Sequence, residues 1–165
     1  GLGVVGLGRI GRATAELARA VGMEVVGCDI APDPAWAARA GVALLPEDEV
    51  IARADVLSLH LSSTAEAPFR LDAAAIARMK PGARLINVAR GALVDEAALH
   101  AALSEGRLAG AALDVYGEEP YSGPLCDLDT VVLTPHIATL TLESRVRMER
   151  EAVENAVAAL RDGAL

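Results

Sequence analysis

The chain has 165 residues, of which 53% are apolar and 2% aromatic, and it carries a formal net charge of −8. This length supports one hydrophobic core rather than two, and the scarcity of aromatic residues means that aliphatic side chains must build it. The negative charge disfavours nucleic acid or an anionic membrane surface as a partner. Cys28 and Cys126 show neither metal nor disulfide spacing, and no signal peptide or long apolar span is found. We therefore expect a reducing, cytoplasmic setting.

Strands and helices alternate along the predicted chain. Strands are predicted at the start of the chain and at residues 25–27, 42–44, 56–61, 85–88, 111–115 and 131–133. Helices are predicted at residues 13–21, 47–53, 71–79, 96–104 and 142–160, with a short helical piece that ends at residue 40. The alternation predicts an α/β fold of one domain, with a doubly wound parallel sheet of the Rossmann type. In such a fold, ligands bind at the carboxyl ends of the strands.

A glycine-rich turn follows the first apolar run. Gly6, Gly8 and Gly11 form the pattern G-x-G-x-x-G between a predicted strand and a predicted helix. The first glycine permits a tight turn, the second lets the backbone approach a pyrophosphate, and the third lets the helix pack closely on the strand. Glycines also mark ordinary turns, but the strand, the helix and the acidic Asp29 after the next strand indicate a dinucleotide site. Because Asp29 could bind ribose hydroxyls and would repel a ribose phosphate, we predict NAD rather than NADP.

Polar side chains that could support hydride transfer follow several of the later predicted strands. Reduction of a 2-keto acid needs a proton donor beside the carbonyl oxygen and a fixed cation that holds the substrate. His136 suits the first task, and a carboxylate such as Glu119 could stabilise its imidazolium form. Arg90 suits the second task because its forked donors bind carboxylates. Each residue alone could be an ordinary loop residue, but their joint occurrence at strand ends favours catalysis.

The other two histidines are expected to take no direct part in catalysis. His60 lies at the end of a predicted strand, where a structural or supporting role is favoured over a catalytic one. His100 lies in a predicted helix among alanines and is expected to be exposed.

Four segments, VVGLGRIGR, LINVARGALVDEAAL, GRLAGAALDVYGEEP and LTPHIATLT, resemble the cofactor domain of the D-isomer-specific 2-hydroxyacid dehydrogenases in sequence and in order. The resemblance covers almost the entire chain and is phosphoglycerate dehydrogenase-like. It implies an NAD-dependent oxidoreductase that transfers hydride between NAD and a 2-hydroxy or 2-keto acid. It also implies that Arg90 binds the substrate, that His136 is the acid/base, and that Glu119 is the carboxylate paired with that histidine.

The resemblance also implies a set of cofactor contacts. Asp114 matches the residue that holds the nicotinamide carboxamide, and Leu61 matches a position packed against the cofactor. Arg9 and Ile10 match the backbone at the pyrophosphate, and Val88 and Ala89 match the wall along the nicotinamide ribose. Ala138, at the end of the histidine segment, is the last expected contact.

The sequence departs from the family pattern after Leu61. A proline and a threonine-rich turn are usual there, whereas this chain has Ser62, Ser63 and Thr64 followed by Ala65. We therefore expect the loop beside the cofactor to have a different shape. The family's substrate-binding domain also has no counterpart in residues 1–165, so this chain is expected to bind NAD but to turn over slowly or not at all by itself.

Two alternatives to an enzyme stay open. The same fold and the same catalytic residues occur in transcriptional corepressors that use NAD as a ligand for assembly, and a non-catalytic domain is also possible. By analogy with the family, a homodimer is expected. The sequence does not identify which 2-hydroxy acid is the substrate.

Overall fold

The computed structural model of the protein describes residues 1–62 and 69–161. The contacts divide the chain into two compact units, Gly1–Pro135 and His136–Leu165. Among the described residues, the first unit holds all the strands and five α-helices, and the second holds one long helix. The loop change predicted at Ser63, Thr64 and Ala65 lies outside the described residues.

Seven parallel strands form the sheet of the first unit. They are β1 (Leu2–Val5), β2 (Val25–Cys28), β3 (Ala43–Leu44), β4 (Val56–Leu59), β5 (Arg84–Asn87), β6 (Gly110–Leu113) and β7 (Val131–Leu133). Their order across the sheet is β3-β2-β1-β4-β5-β6-β7. The chain reverses direction across the sheet between β1 and β4. A crevice at the carboxyl ends of the strands beside this switch is where such folds bind ligands.

Helices connect the strands, and a further helix follows the last one. They are α1 (Arg9–Ala20), α2 (Pro34–Ala40), α3 (Glu47–Arg53), α4 (Ala73–Arg78), α5 (Glu96–Ser104) and α6 (Leu142–Arg161). No helix in the described part of the chain is long and apolar enough to cross a membrane. The predicted alternation of strands and helices, and with it the doubly wound α/β fold, is confirmed.

Several predicted boundaries differ from the structure by one or more residues, and two of these differences lie at the glycine turn or beside it. Helix α1 begins at Arg9 rather than at residue 13, because its first turn carries exposed side chains that do not follow the apolar periodicity. Strand β4 ends at Leu59 rather than at residue 61. The N–H of His60, the next residue, donates to the carbonyl of Val5 at 2.8 Å and makes the last backbone bond between β4 and β1.

Helices cover both faces of the sheet and bury two apolar clusters. On one face, Leu2 and Val4 of β1 pack with Ala15 of α1 and Trp36 of α2. On the other face, Val5 belongs to a larger cluster that includes buried residues of α3, α4 and α5. Because the helices occupy the faces, the carboxyl ends of the strands carry the loops that can form a site.

Candidate functional site

The glycine turn between β1 and α1 lies close against the end of β4. Gly6 has a φ of 93°, a conformation that favours glycine. A Cβ at Gly6 would lie 2.7 Å from the backbone of His60, and a Cβ at Gly11 would overlap the carbonyl oxygen of Gly6. A Cβ at Gly8, in contrast, would meet no described atom within 4 Å. The turn is therefore closed on its inner side and open above Gly8.

Helix α1 begins at this opening with free backbone donors. Its N-cap residue is Gly8, and within the described chain neither a capping side chain nor an acidic residue occupies its first turn. The first N–H groups of a helix, together with its dipole, favour an anion such as a pyrophosphate. The side chains of Arg9 and Ile10 are exposed, so the contact predicted for these residues would be made by their backbone.

Asp29 follows β2 and bonds to the glycine turn. Its Oδ2 accepts the N–H of Leu7 at 2.6 Å, and its Oδ1 accepts the N–H of Ala31 at 2.8 Å. Each carboxylate oxygen can accept a further hydrogen bond, so the group can bind ribose hydroxyls while it holds the turn. The carbonyl of Leu7 accepts a bond from Arg12 Nε at 2.8 Å. Both polar backbone groups of Leu7 are thereby fixed.

Arg12 also ties the glycine turn to the start of α2. Its Nη1 lies 3.1 Å from Asp33 Oδ2, and its Cζ lies 4.9 Å from the centroid of the Trp36 ring. Asp33 in turn caps α2, because its Oδ1 accepts the N–H of Trp36 at 3.0 Å. The sequence reasoning missed Arg12, although its position directly after the third glycine of the turn was a usable signal.

A cavity of about 480 Å³ lies beside the turn, and the predicted cofactor residues Asp29 and Leu61 line it. Leu45 and Pro46, from the loop after β3, contribute an apolar part of the wall. Burial raises the pKa of the Cys28 thiol to about 12, and the nearby carboxylates of Glu47 and Asp29 add to the rise. The thiol therefore stays neutral and acts as an apolar part of the wall.

His60 supports this wall. Its Nε2 and the hydroxyl of Ser58 share a hydrogen bond of 2.9 Å. Its Nδ1 is buried and has no hydrogen-bond partner among the described residues. Burial lowers the pKa of His60, which favours the neutral imidazole. Contact with the backbone of the glycine turn accords with the structural role predicted for this residue.

The loop after β5 carries Arg90 and is held by Asn87, the last residue of that strand. The side chain of Asn87 is buried; its Nδ2 donates to the carbonyl of Arg90 at 2.9 Å, and its Oδ1 accepts the N–H of Ala89 at 3.1 Å. Nη1 of Arg90 donates to the carbonyl of Ala89 at 2.7 Å. Val88 is exposed and Ala89 is buried, so Val88 offers more of its side chain to a cofactor, and both contacts stay predictions. The sequence reasoning missed Asn87, which was visible as a lone amide at the end of a buried strand.

The loop after β6 carries Glu119 and packs against the Arg90 loop. A Cβ at Gly91 would overlap the backbone of Tyr116, which shows how closely the two loops approach. Oε1 of Glu119 accepts the N–H of Tyr116 at 3.1 Å, so the carboxylate is held next to its own loop. The structure therefore brings the loops that carry Arg90 and Glu119 together at the carboxyl ends of neighbouring strands.

Asp114, at the start of the same loop, is buried and held by Thr134. The hydroxyl of Thr134 donates to Asp114 Oδ1 at 2.5 Å, and the N–H of Asp114 donates to the carbonyl of Asn87 at 3.0 Å. The hydroxyl of Tyr116 donates to the carbonyl of Thr134 at 2.9 Å. The bond to Asp114 gives Thr134 a positioning role that the LTPHIATLT motif does not reveal.

His136 and Ala138 belong to the second unit. His136 has a φ of 54°, in the left-handed region that is uncommon for residues other than glycine. Such a conformation costs free energy and is found preferentially at functional sites. The catalytic role of His136 and the cofactor contact of Ala138 stay predictions.

His100 is partly rather than fully exposed, and its Nε2 lies 3.5 Å from the hydroxyl of Ser104.

The first unit offers what the pyrophosphate and adenosine parts of NAD require. The turn is open above Gly8, α1 begins with free N–H groups, Asp29 can accept ribose hydroxyls, and the cavity has the size of a small-ligand pocket. Together with the strand order, these features define the NAD-binding domain of an α/β dehydrogenase.

Comparison with known proteins identifies the family. Residues 1–138 match the model of the D-isomer specific 2-hydroxyacid dehydrogenase NAD binding domain, so the chain belongs to this family. It is 44% identical over 160 residues to D-3-phosphoglycerate dehydrogenase of Mycobacterium tuberculosis, an alignment that covers 96% of this chain and 30% of that protein. The predicted family, fold class and NAD cofactor are thereby confirmed.

Two solved structures are similar over nearly the whole chain. A glyoxylate reductase from Paecilomyes thermophila superposes with a TM-score of 0.90 at 38% identity, covering 98% of this chain and 49% of that one. D-lactate dehydrogenase from Aquifex aeolicus, solved with NAD and lactic acid, gives a TM-score of 0.86 at 34% identity, covering 98% and 53%. The chain thus spans about a third to a half of the length of these relatives.

Proposed function

We propose that the protein containing this chain is an NAD-dependent dehydrogenase that interconverts a 2-hydroxy acid and a 2-keto acid. One observation carries the proposal: the loops bearing Arg90 and Glu119 pack together at the sheet edge that also bears the glycine turn. Bound NAD supplies the hydride acceptor or donor. The loops add a cation that can hold a keto acid and a carboxylate that can stabilise the imidazolium of an acid/base histidine.

Arg90 is the residue that binds the substrate in this proposal. One of its donors, Nη1, bonds to the carbonyl of Ala89, which orients the guanidinium and leaves its other N–H groups for a ligand. A planar guanidinium can bind the substrate carboxylate and the reacting carbonyl oxygen at once. Asn87 fixes the backbone of the loop, and so the position of Arg90 depends on a buried amide.

His136 is the acid/base of the proposed reaction, and Glu119 is its partner. The imidazolium donates a proton to the carbonyl oxygen during reduction, and the neutral imidazole accepts that proton from the hydroxyl during oxidation. A carboxylate against the second ring nitrogen fixes the tautomer and favours the imidazolium form. Support comes from the residue chemistry, the family motif and the left-handed backbone of His136.

The remaining cofactor contacts follow the family pattern. Asp114 would hold the nicotinamide carboxamide, and Thr134 orients its carboxylate. A separate substrate-binding domain outside residues 1–165 would supply backbone donors for the substrate carboxylate and exclude water. We therefore expect this chain alone to bind NAD and to turn over slowly or not at all.

Two broader properties are also proposed. A homodimer through the cofactor domains follows from family analogy, and sedimentation equilibrium of the chain would test it. A reducing cytoplasmic compartment accords with the free cysteines Cys28 and Cys126. Fractionation of the source cells would test this second property.

The function is tested by binding and turnover measured on the same protein. NADH is titrated against the chain by quenching of Trp36, the sole tryptophan. The longest natural polypeptide that contains the sequence is then offered hydroxypyruvate, glyoxylate, pyruvate and 3-phosphohydroxypyruvate. His136→Gln should lower kcat by about 1,000-fold and leave the Kd for NADH within about twofold. His100→Gln is the matched control and should retain both values.

The same measurements discriminate the alternatives. NADH binding without turnover of any keto acid by the long polypeptide would favour a corepressor-like or non-catalytic NAD-binding module. Full activity in His136→Gln would remove that residue from the acid/base role.

A further inference from the structure

The carbonyl of Leu7, inside the glycine turn, is held by a side chain from α1. Nε of Arg12 donates to this carbonyl at 2.8 Å. The first backbone bond of α1 is accepted one residue later, by Gly8, whose carbonyl takes the N–H of Arg12 at 2.9 Å. In the described structure the Leu7 carbonyl accepts no backbone bond of its own. Its orientation therefore depends on the side chain of Arg12.

The peptide group between Leu7 and Gly8 transmits this orientation to a backbone donor. A trans peptide group is planar, so its N–H points in the direction opposite to its carbonyl. The bond that fixes the Leu7 carbonyl therefore also fixes the direction of the Gly8 N–H. This N–H makes no hydrogen bond to any described residue, and the turn is open at Gly8. A backbone donor without a partner is thus held at the start of a helix, where an anion is favoured.

The positive charge of Arg12 is already paired. Its Nη1 lies 3.1 Å from Asp33 Oδ2, and its guanidinium lies over the ring of Trp36. The nearby carboxylate offsets the field of the guanidinium, so a pyrophosphate is attracted less strongly than by a cation that stands alone. We therefore expect Arg12 to act through the geometry of the turn rather than through its charge.

We propose that Arg12 is a positioning residue for the pyrophosphate of NAD, because its bond to the Leu7 carbonyl directs the N–H of Gly8 toward the anion. This proposal deepens the proposed function and rests on the NAD site described above. It adds the Gly8 donor to the free N–H groups of α1. It also places the control of that donor in a side chain outside the glycine pattern.

Two substitutions of Arg12 separate the hydrogen bond from the charge. Glutamine carries its amide nitrogen where arginine carries Nε, whereas methionine has a methyl group there and no donor. Both variants lose the positive charge, the ion pair with Asp33 and the cation contact with Trp36. Arg12→Gln can keep the bond to the Leu7 carbonyl, and Arg12→Met cannot.

The test compares a ligand that has the pyrophosphate with one that lacks it. Calorimetric titration gives Kd for NADH without relying on the fluorescence of Trp36, which Arg12 contacts. Arg12→Met should raise this Kd by about tenfold because the Gly8 donor is no longer held, and Arg12→Gln should keep it within about threefold of the wild-type value. Adenosine, measured by competition with NADH, should bind to all three proteins with the same affinity within about twofold.

Arg19→Met is the matched control, because Arg19 lies on the same helix and its Nη1 also donates to a backbone carbonyl, that of Met23 at 2.9 Å. This variant should keep the wild-type Kd for both ligands.

Three results would overturn the role of Arg12 while NAD binding itself stands. The first is an unchanged Kd for NADH in Arg12→Met. The second is an equal loss of NADH affinity in Arg12→Met and Arg12→Gln, which would mean that the charge matters and the bond does not. The third is an equal loss of adenosine and NADH affinity in Arg12→Met, which would mean that Arg12 supports the turn as a whole. Failure of the wild-type chain to bind NADH would overturn the NAD site as well.

Discussion

The carboxylate of Asp29 accepts the backbone N–H of Leu7 at 2.6 Å, and so the residue expected to bind the ribose also holds the glycine turn in place. The other oxygen of the carboxylate accepts the N–H of Ala31. Cofactor selectivity and the shape of the turn therefore depend on one side chain, and a substitution there changes both.

Asp29→Ser should shift the preference of the chain toward NADP and destabilise the turn. Loss of the negative charge removes the repulsion of a ribose phosphate, so the ratio of Kd values for NADPH and NADH should fall by about tenfold or more. The N–H of Leu7 loses its partner, which should lower the free energy of unfolding by about 1–2 kcal/mol. Calorimetric titration and urea unfolding measure the two effects. If the ratio stays at its wild-type value, Asp29 does not set the preference.

Gly8→Ala and Gly11→Ala should separate binding from folding. A Cβ at Gly8 meets no described atom, and so Gly8→Ala should change the free energy of unfolding by less than about 1 kcal/mol while it weakens NADH binding at least about tenfold. A Cβ at Gly11 overlaps the Gly6 carbonyl, and so Gly11→Ala should lower the free energy of unfolding by about 1–3 kcal/mol and also weaken binding. Unchanged NADH affinity in Gly8→Ala would contradict a pyrophosphate above this residue.

Asn87→Ala should slow turnover of the keto acid, because the Arg90 loop loses the side chain that holds its backbone. The substitution leaves the carbonyl of Arg90 and the N–H of Ala89 without their partner, which should lower the free energy of unfolding by about 1–3 kcal/mol. In the long polypeptide, kcat/KM for the keto acid should fall by about tenfold or more because the substrate-binding group is displaced, while the Kd for NADH changes less. Asn155→Ala, on the exposed surface of α6, is the control. An equal effect of Asn87→Ala on NADH binding and on keto acid turnover would argue against a specific role at Arg90.

His60 should make the fold less stable in mild acid. Burial lowers its pKa in the folded chain, so the unfolded chain binds the proton more readily. Stability should therefore be lost as the pH falls below about 6.5, the pKa of an unperturbed histidine, toward the lower pKa of the folded chain. Urea unfolding at several pH values between about 5 and 8 measures this slope.

The contribution of His60 appears as a difference between variants. His60→Asn should flatten the dependence on pH in this range, whereas His100→Asn, which changes a partly exposed histidine, should keep it. Identical slopes in the wild-type chain and His60→Asn would show that other groups cause the loss.

The order of elements could be predicted from the sequence because each strand and helix has its own apolar period. Helix α5 shows this well: an aspartate precedes it, buried leucines recur along it, and its predicted bounds match the structure. The first turn of α1 could not be predicted, since Arg9 and Ile10 are exposed and break the apolar pattern. Periodicity detects apolar side chains that face the core, and the buried residue of this turn is Gly11, which has no side chain.

The sequence indicated candidate site residues where residue type alone implies chemistry, as it does for the glycines and Asp29. The supporting residues were missed because their partners are backbone groups or residues distant in the sequence. Thr134, directly after β7, bonds to Asp114, directly after the neighbouring strand β6, and the side chain of Asn87 bonds to the backbone of the loop that follows it.

The outermost strands of the sheet are short: β3 has two residues and β7 has three. An extended polypeptide that tried to prolong the sheet at either side would find few backbone groups to bond with, which protects against edge-to-edge aggregation. Copies of this unit that do associate would then have to meet through side chains on helices and loops.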